Sequence, residues 1–351
     1  MPDNPVNVAL IGTGMVGATY AAALADLADS IRLTRVLARS PGSAERFINA
    51  QAGPLPFRPD AAASLTEIAE DPGIGFVILA TPPDQRQEIV EALAAAGKPI
   101  LMEKPIERTL AAAARLCQIT ESAGIPLGIV LQHRVRPSAR HLAAWIADET
   151  PGPLRAAEIS VPWWRPQSYY DTPGRGTYAR DGGGVLLTQA IHTLDLALTF
   201  TPPITSLTAM TATTGFHDME AEDFVTAGLT FEGGAVGTLF ATTAAFPGRT
   251  EEIRLHYRDA SVALRAAEIE INRQDGSSET IGTVASSGAG ADPMAFTSDW
   301  HRDVIADFAA ALRKGHSPVA PARSALAAHA LIDAIERAAR SGAPTQPEIP
   351  E

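Results

Sequence analysis

One cysteine, Cys117, stands in 351 residues. No intrachain disulfide can form, which excludes a small disulfide-built fold and agrees with a reducing compartment. Aromatic residues are scarce at 6%, so a local cluster of them carries information. Basic runs are missing. The formal net charge is −12, and without clustered Lys and Arg nothing neutralises a phosphate backbone, which excludes a nucleic-acid partner. No uninterrupted apolar stretch is long enough for a membrane span. The opening, Met1 to Val6, lacks a basic region followed by an apolar one and reads directly into a strand, so no export signal is expected and a cytoplasmic location is. No CxxC, HExxH or carboxylate cluster has metal-ligand spacing, so no metal is expected. Apolar residues make up 46%, ample for a large core, and two domains are the natural division of this length.

Val6 to Ile11 is a short apolar run, long enough for a buried strand. Gly12-Thr13-Gly14-Met15-Val16-Gly17 follows at once, and Val16, Tyr20, Leu24 and Leu27 then recur at helical spacing. Strand, glycine turn and helix form the context of a dinucleotide fingerprint. Gly12 permits the tight turn, Gly14 lets the backbone approach a pyrophosphate, and Gly17 lets helix and strand pack closely. The helix N-terminus then offers N–H groups to the phosphates. After the second strand, Ile31 to Leu37, an acid that would bond the adenosine ribose is missing. Arg39 and Ser40 stand there instead, a guanidinium and a hydroxyl that suit a 2′-phosphate, which favours NADP(H) over NAD(H).

Phe76 to Ala80 is a continuous apolar run, as for a strand buried on both faces. It ends in Thr81-Pro82-Pro83. Ligands of open parallel sheets sit beyond the carboxyl ends of strands, so Ala80, Thr81, Pro82 and Pro83 are expected to border the cofactor. Ile100 to Met102 is the next strand, ending in Glu103-Lys104-Pro105. There Glu103 borders the cofactor, and Lys104 is placed for proton traffic or for holding a substrate hydroxyl. A helix from Thr109 to Ser122 and a strand from Pro126 to Leu131 follow. The strand leads into Gln132 to Pro137, where His133 is a candidate substrate contact. Strands alternating with helices predict a doubly wound parallel sheet over residues 1–130, a dinucleotide-binding domain.

Trp163 to Tyr170 is the densest aromatic cluster, and Gly174-Arg175-Gly176-Thr177-Tyr178 follows. Aromatic faces with hydroxyl and guanidinium donors suit a polyhydroxylated ring. The tryptophans are expected in the core, while Tyr170, Arg175 and Tyr178 are expected at substrate. Then a flexible glycine run, Gly182-Gly183-Gly184, feeds an apolar helix. On it Thr188 and His192 are four apart and Asp195 is three further, which puts all three on one face. From Ile204 to Ile281 short alternating runs, with a hairpin signal at Gly233-Gly234, predict a mostly antiparallel sheet. Ser286 to Gly290 reads as a flexible loop. Closing helices at about 299–340 complete a second α+β domain, 131–351, in which His301, His316 and His329 are expected to be structural or exposed.

The glycine fingerprint after the first strand, Glu103-Lys104-Pro105 after the fifth, and Gly182 to Asp195 occur in an order that resembles the Gfo/Idh/MocA family (glucose–fructose oxidoreductase and inositol dehydrogenase). The likeness covers nearly the whole chain. It implies a Rossmann-like first domain, a second domain with a large open sheet, and a homodimer or homotetramer formed through that sheet. By position, Lys104 corresponds to the lysine near the nicotinamide and the reacting carbon. His192 corresponds to the histidine assigned as general acid/base, and Asp195 to an acid near substrate. Thr188 departs from the family, which often has an aspartate there in a dyad with the histidine. A threonine can hydrogen-bond a substrate hydroxyl, so Thr188 is a candidate substrate contact, but it cannot hold a charge. Arg86 departs too, where many relatives have histidine after the Thr-Pro turn, a change that touches nothing central. The implied reaction is hydride transfer between a nicotinamide and a sugar, cyclitol or related polyol, with His192 and Lys104 catalytic. The alternatives are an NAD-dependent glycosidase using transient oxidation, and a non-catalytic NAD(P)-binding regulator.

Overall fold

A computed structural model describes residues 4–53, 55–149, 151–283, 288–292 and 294–350. Contacts divide the chain into two units: residues 1–107, 111–132 and 297–325 in the first, residues 108–110, 133–296 and 326–351 in the second.

The first unit runs β1 (Val6–Ile11), α1 (Gly17–Asp26), β2 (Ile31–Leu37), α2 (Pro41–Ala50), β3 (Asp60–Ala61), α3 (Leu65–Glu70), β4 (Ile74–Leu79), α4 (Arg86–Ala95), β5 (Ile100–Glu103), α5 (Leu110–Ser122) and β6 (Leu127–Val130). The six strands pair in the order β3-β2-β1-β4-β5-β6, and every pairing is parallel. Each residue of β5 and β6 is buried, as expected of strands covered on both faces. The order reverses between β1 and β4. That is where the loops after two neighbouring strands diverge and leave a crevice for a ligand.

The second unit contains α6 (Pro137–Glu149), β7 (Leu154–Pro162), the short α7 (Gln167–Tyr170), a π-helical turn (Leu186–Ala190), α8 (Ile191–Leu198), β8 (Ile204–Ala212), β9 (Phe224–Phe231), β10 (Val236–Thr242), β11 (Glu252–Tyr257), β12 (Ala260–Arg265), β13 (Glu268–Arg273) and β14 (Ser278–Ile281). Its sheet has the order β14-β13-β12-β11-β7-β10-β9-β8. All pairings are antiparallel except β7 with β10. β9 alternates buried and open positions, so one face of the sheet enters the core with Leu142, Trp145, Leu194 and Ile335. The other face stays open, with Met210 and Val236 more than half exposed. Gly233 and Gly234, at φ +81° and +86°, make the β9–β10 turn where the hairpin signal stands. The fold is therefore α/β, a Rossmann-like parallel sheet and a mostly antiparallel open sheet.

Two expectations change. The closing helices do not stay together: α9 (Asp299–Lys314) packs on α1 and β6, whereas α10 (Ala322–Ser341) passes into the second unit at Leu326. The reason is Gly128 of β6. A Cβ there would meet the Phe308 ring at 2.7 Å, so the glycine leaves a slot that Phe308 fills, edge-on to Phe76 at 5.3 Å. In the Ser286–Gly290 loop, Ser286 and Ser287 lie outside the described residues. The rest is pinned: Trp164 N–H donates to Ala289 O at 2.9 Å and the Arg165 guanidinium to Gly290 O at 2.6 Å. Among the described residues no helix is long and apolar enough to cross a membrane.

Candidate active site

At the switch point Gly12 adopts φ +101°, a conformation nearly reserved for glycine. A Cβ on it would also lie 2.7 Å from the Ala80 carbonyl, so the turn after β1 and the turn after β4 close on each other. A Cβ on Gly14 would meet nothing within 4 Å. It faces open space beside the start of α1, where no side chain caps the N–H groups and no acid stands in the first turn. An anion is favoured at such a helix end. The Thr81 hydroxyl is buried with no hydrogen-bond partner among the described residues. A pyrophosphate with its ribose fits this set: open space, a helix start without a side-chain cap, and a hydroxyl without a partner among the described residues. Gly17 differs from expectation. The group that a Cβ on it would meet, at 2.9 Å, is the Phe47 ring of α2, not a strand.

Arg39, after β2, is exposed and enters no hydrogen bond or ion pair among the described residues. Ser40 is the N-cap of α2, its Oγ accepting from Ser43 N–H at 3.3 Å. Arg46, not foreseen, donates to Ser43 Oγ at 2.8 Å. It lies one turn along α2 from the cap and gives this corner a second cation.

The Lys104 loop is fixed from beneath. Arg86, at the start of α4, is 2% exposed. Its guanidinium donates to Thr81 O at 2.7 and 3.0 Å, to Glu103 O at 2.5 Å, to Pro105 O and to Ile106 O at 3.3 Å. Burial pulls it down to about 10 against the pull of Glu103, so it stays a cation at neutral pH. One side chain thus ties the Thr81 turn to the Lys104 turn, and the view of Arg86 as peripheral is overturned. Glu103 points inward instead of toward a cofactor. Tyr20 Oη donates to it at 2.7 Å, His301 Nε2 lies 3.8 Å away, and the Lys104 N–H bonds its other oxygen at 3.2 Å. Burial works to raise this carboxyl, but His301, Lys104 and Tyr20 together hold it below its ordinary value. Lys104 itself is only partly buried.

In the second unit the glycine run is fixed, not slack. Glu222 is 6% exposed and accepts from Gly184 N–H at 3.0 Å and from Leu186 N–H at 3.1 Å, while its own carbonyl accepts from Val185 N–H at 2.8 Å. A Cβ on Gly184 would fall 1.7 Å from that carbonyl oxygen, so no other residue fits. The helix expected here is α-helical only from Ile191; the turn before it, Leu186–Ala190, is π-helical. The wider turn changes the local winding between Thr188 and His192. The Thr188 hydroxyl lies against Gly184 O at 2.6 Å and against Gln189 Oε1.

Both Asp195 oxygens are engaged: Arg134 donates from Nε to Oδ2 at 2.7 Å and from its terminal nitrogen to Oδ1 at 2.6 Å. Asp195 is 1% exposed. Burial pushes its carboxyl up and Arg134 pulls part of that back. It braces α8 and is not open to a substrate. His192, 6% exposed, stacks on His133 with centroids 4.9 Å apart and planes 26° from parallel. His133, 3% exposed, thus lies against the histidine ring.

Tyr170, expected at substrate, is instead buried, its hydroxyl 2.7 Å from Thr243 Oγ1. Its neighbour Tyr169 is the connected one. Arg175 donates to Tyr169 Oη at 2.8 Å and lies over its ring at 4.5 Å, while Gln189 Nε2 donates to the same oxygen at 3.3 Å. A chain of contacts therefore runs from Thr188 through Gln189 and Tyr169 to Arg175. Tyr178 lines a separate polar cavity of about 400 Å³ with Arg108, Glu222, His329 and Glu336. Among the described residues no group of His, Cys, Asp and Glu could hold a metal ion.

A parallel sheet with a phosphate cradle at its switch point defines an NAD(P)-binding protein of the Rossmann class. The family described as "Oxidoreductase family, NAD-binding Rossmann fold" matches residues 6–129, and "GFO/IDH/MocA C-terminal domain" matches residues 139–263. The chain belongs to the Gfo/Idh/MocA family and is an NAD(P)-dependent oxidoreductase. It is 27% identical over 299 residues to D-apiose dehydrogenase of Paraburkholderia graminis, covering 81% of this chain and 74% of that one. It is 25% identical over 344 residues to inositol 2-dehydrogenase of Rhizobium meliloti, covering 95% and 96%. The WlbA dehydrogenase of Bordetella pertussis, solved with NADH and UDP-GlcNAcA, shares the fold with a TM-score of 0.81 at 24% identity over 99% and 100% of the two chains.

Proposed function

We propose that this enzyme transfers a hydride between a nicotinamide and the carbinol or carbonyl carbon of a sugar, cyclitol or related polyol. The observation that carries the reading is the fixed Lys104 turn. It sits at the carboxyl end of β5, two places along the sheet from the cradle after β1, about 10 Å at the usual strand spacing. Gly12 to Gly17 with Thr81 would hold the dinucleotide, which when bound accepts or gives the hydride. Lys104 polarises the substrate oxygen or relays its proton. His192 takes the hydroxyl proton during oxidation and returns it during reduction, a task suited to an imidazole, which can accept and donate a proton. The Arg175–Tyr169 pair offers donors to hydroxyl or carboxylate groups. Relatives named for D-apiose and inositol support the polyol class.

Screening sugars, cyclitols, uronates and dihydrodiols with NAD and NADP tests the reading. Lys104→Met and His192→Ala are each expected to lower kcat roughly a hundredfold or more, with cofactor affinity kept. Undiminished turnover removes that residue from the mechanism.

NADP(H) is the favoured cofactor in this reading, because Arg39 is exposed after β2 and Arg46 bonds Ser43 in the first turn of the helix that follows. Arg39→Ala is expected to lower the NADP-over-NAD preference in kcat/KM about tenfold, as for loss of one charge-assisted hydrogen bond, and an unchanged ratio refutes the role. The open sheet face at Met210 and Val236 is the surface through which two or four copies associate, and light scattering of Met210→Lys measures that. A cytoplasmic location accords with the single cysteine, which leaves no intrachain disulfide to form.

A further inference from the structure

The stack of His133 on His192 continues outward. His133 Nε2 meets the Arg136 guanidinium. Arg136 donates in turn to Glu251 Oε1 at 3.0 Å and reaches Ala266 O at 3.5 Å. Arg136 and Glu251 are 1% and 3% exposed. A guanidinium has N–H donors only. In this contact His133 Nε2 is placed as the acceptor, which puts the ring proton on Nδ1. The residue beside it, Arg134, grips Asp195 three positions along α8 from His192. The turn Gln132–Val135 thus holds α8 at two points on one face. β7 and β11, which pack on α8, turn Ile159, Val161, Ile253 and Leu255 into the core, while Glu158, Arg254 and His256 stand on their more open positions.

We infer that His133 is the positioning residue of His192, a permanently neutral imidazole whose tautomer is set by the Arg136–Glu251 pair. Offset stacking fixes the plane of the His192 ring. Two buried imidazoles in contact cannot both be protonated without mutual repulsion. Arg136 decides which one stays neutral, so the proton taken from a substrate resides on His192. The part played elsewhere by a carboxylate partner falls to a second histidine, contributed by a residue 59 positions earlier in the chain. This rests on the reading of His192 as the acid–base group.

The NADP(H)-loaded enzyme labelled with 15N-histidine tests it, with signals assigned by difference against single His→Asn variants. His133 is expected to show the Nδ1–H tautomer throughout pH 5.5 to 9. A titrating imidazolium or an Nε2–H signal overturns the inference, and this measurement on the wild type needs neither turnover nor a stable variant. In kinetics His133→Asn keeps an acceptor for Arg136 but removes the ring. It is expected to lower kcat roughly tenfold or more, with KM and cofactor affinity within about twofold. If His192→Ala abolishes turnover and His133→Asn leaves kcat unchanged, the positioning role alone fails. If His192→Ala retains full turnover, the acid–base reading on which it rests fails.

Discussion

The turn that carries Lys104 and the glycine run that leads to His192 are held in opposite ways. Beneath the first, a buried cation, Arg86, donates to the carbonyls of four residues. Beneath the second, a buried carboxylate, Glu222, accepts from two backbone N–H groups. Each charge satisfies backbone groups that a loop away from water would otherwise leave without partners. The difference lies in how the two charges answer pH. Arg86 stays cationic even at its depressed value of about 10. Burial raises the Glu222 carboxyl, and its backbone bonds only partly offset that. Glu336, in the same cavity, is raised to about 7 by burial and by Glu222. The Lys104 support is indifferent to pH, and the His192 support is sensitive to it.

The largest effect is expected from breaking the cationic support. Arg86→Met leaves the carbonyls of Thr81, Glu103, Pro105 and Ile106 without their donor, a loss of at least about 3 kcal/mol, together with most of the turnover. Urea denaturation reads the first and steady-state assays the second; a stability change under about 1 kcal/mol would show that Arg86 supports nothing. Next comes Gly184→Ala, which forces the run away from the Glu222 carbonyl at a cost of about 2–3 kcal/mol. Here kcat is expected to fall while affinity for NADP stays, and a wild-type kcat refutes the view that the run sets the position of α8. The smallest effect sharpens the comparison. Glu336 has a folded value above its unfolded value of about 4.3, so the folded state binds the extra proton between the two. Its stabilisation is present below about 4.3 and is lost as pH rises through about 7. Glu336→Gln is therefore expected to match the wild-type Tm at pH 4 and to exceed it by a few degrees at pH 8. An equal pH dependence of Tm in both proteins contradicts this.

How much of this is legible in the sequence follows from separation along the chain. The cradle, the Glu103-Lys104-Pro105 turn and the glycine run are contiguous, so their residue types announce them. Their supports are remote. Glu222 lies 36 and 38 residues from its N–H partners, and Asp195 lies 61 from Arg134. Arg136 and Glu251 are 115 apart. No local pattern links such pairs. That Tyr169 meets Arg175 is hidden for a different reason: adjacent residues on the one-turn α7 point different ways, and only packing decides which of them reaches the guanidinium. The π-turn before His192 is likewise invisible, because the apolar spacing of Val185 to Leu194 suits an ordinary helix equally well. Arg86 could be seen in the sequence, but its weight could not, since a surface arginine and one bonding four carbonyls are written alike.

The slot at Gly128 has a consequence for biosynthesis. A ribosome delivers β1 to β6 early, yet the piece that fills the slot, Phe308 on α9, arrives some 180 residues after Gly128. Throughout that interval the nascent dinucleotide-binding sheet carries an unfilled apolar hole beside its last strand, the condition under which partly folded chains recruit unwanted partners. The first unit to begin folding is thus among the last to finish, and it waits for the whole of the second sheet to be made.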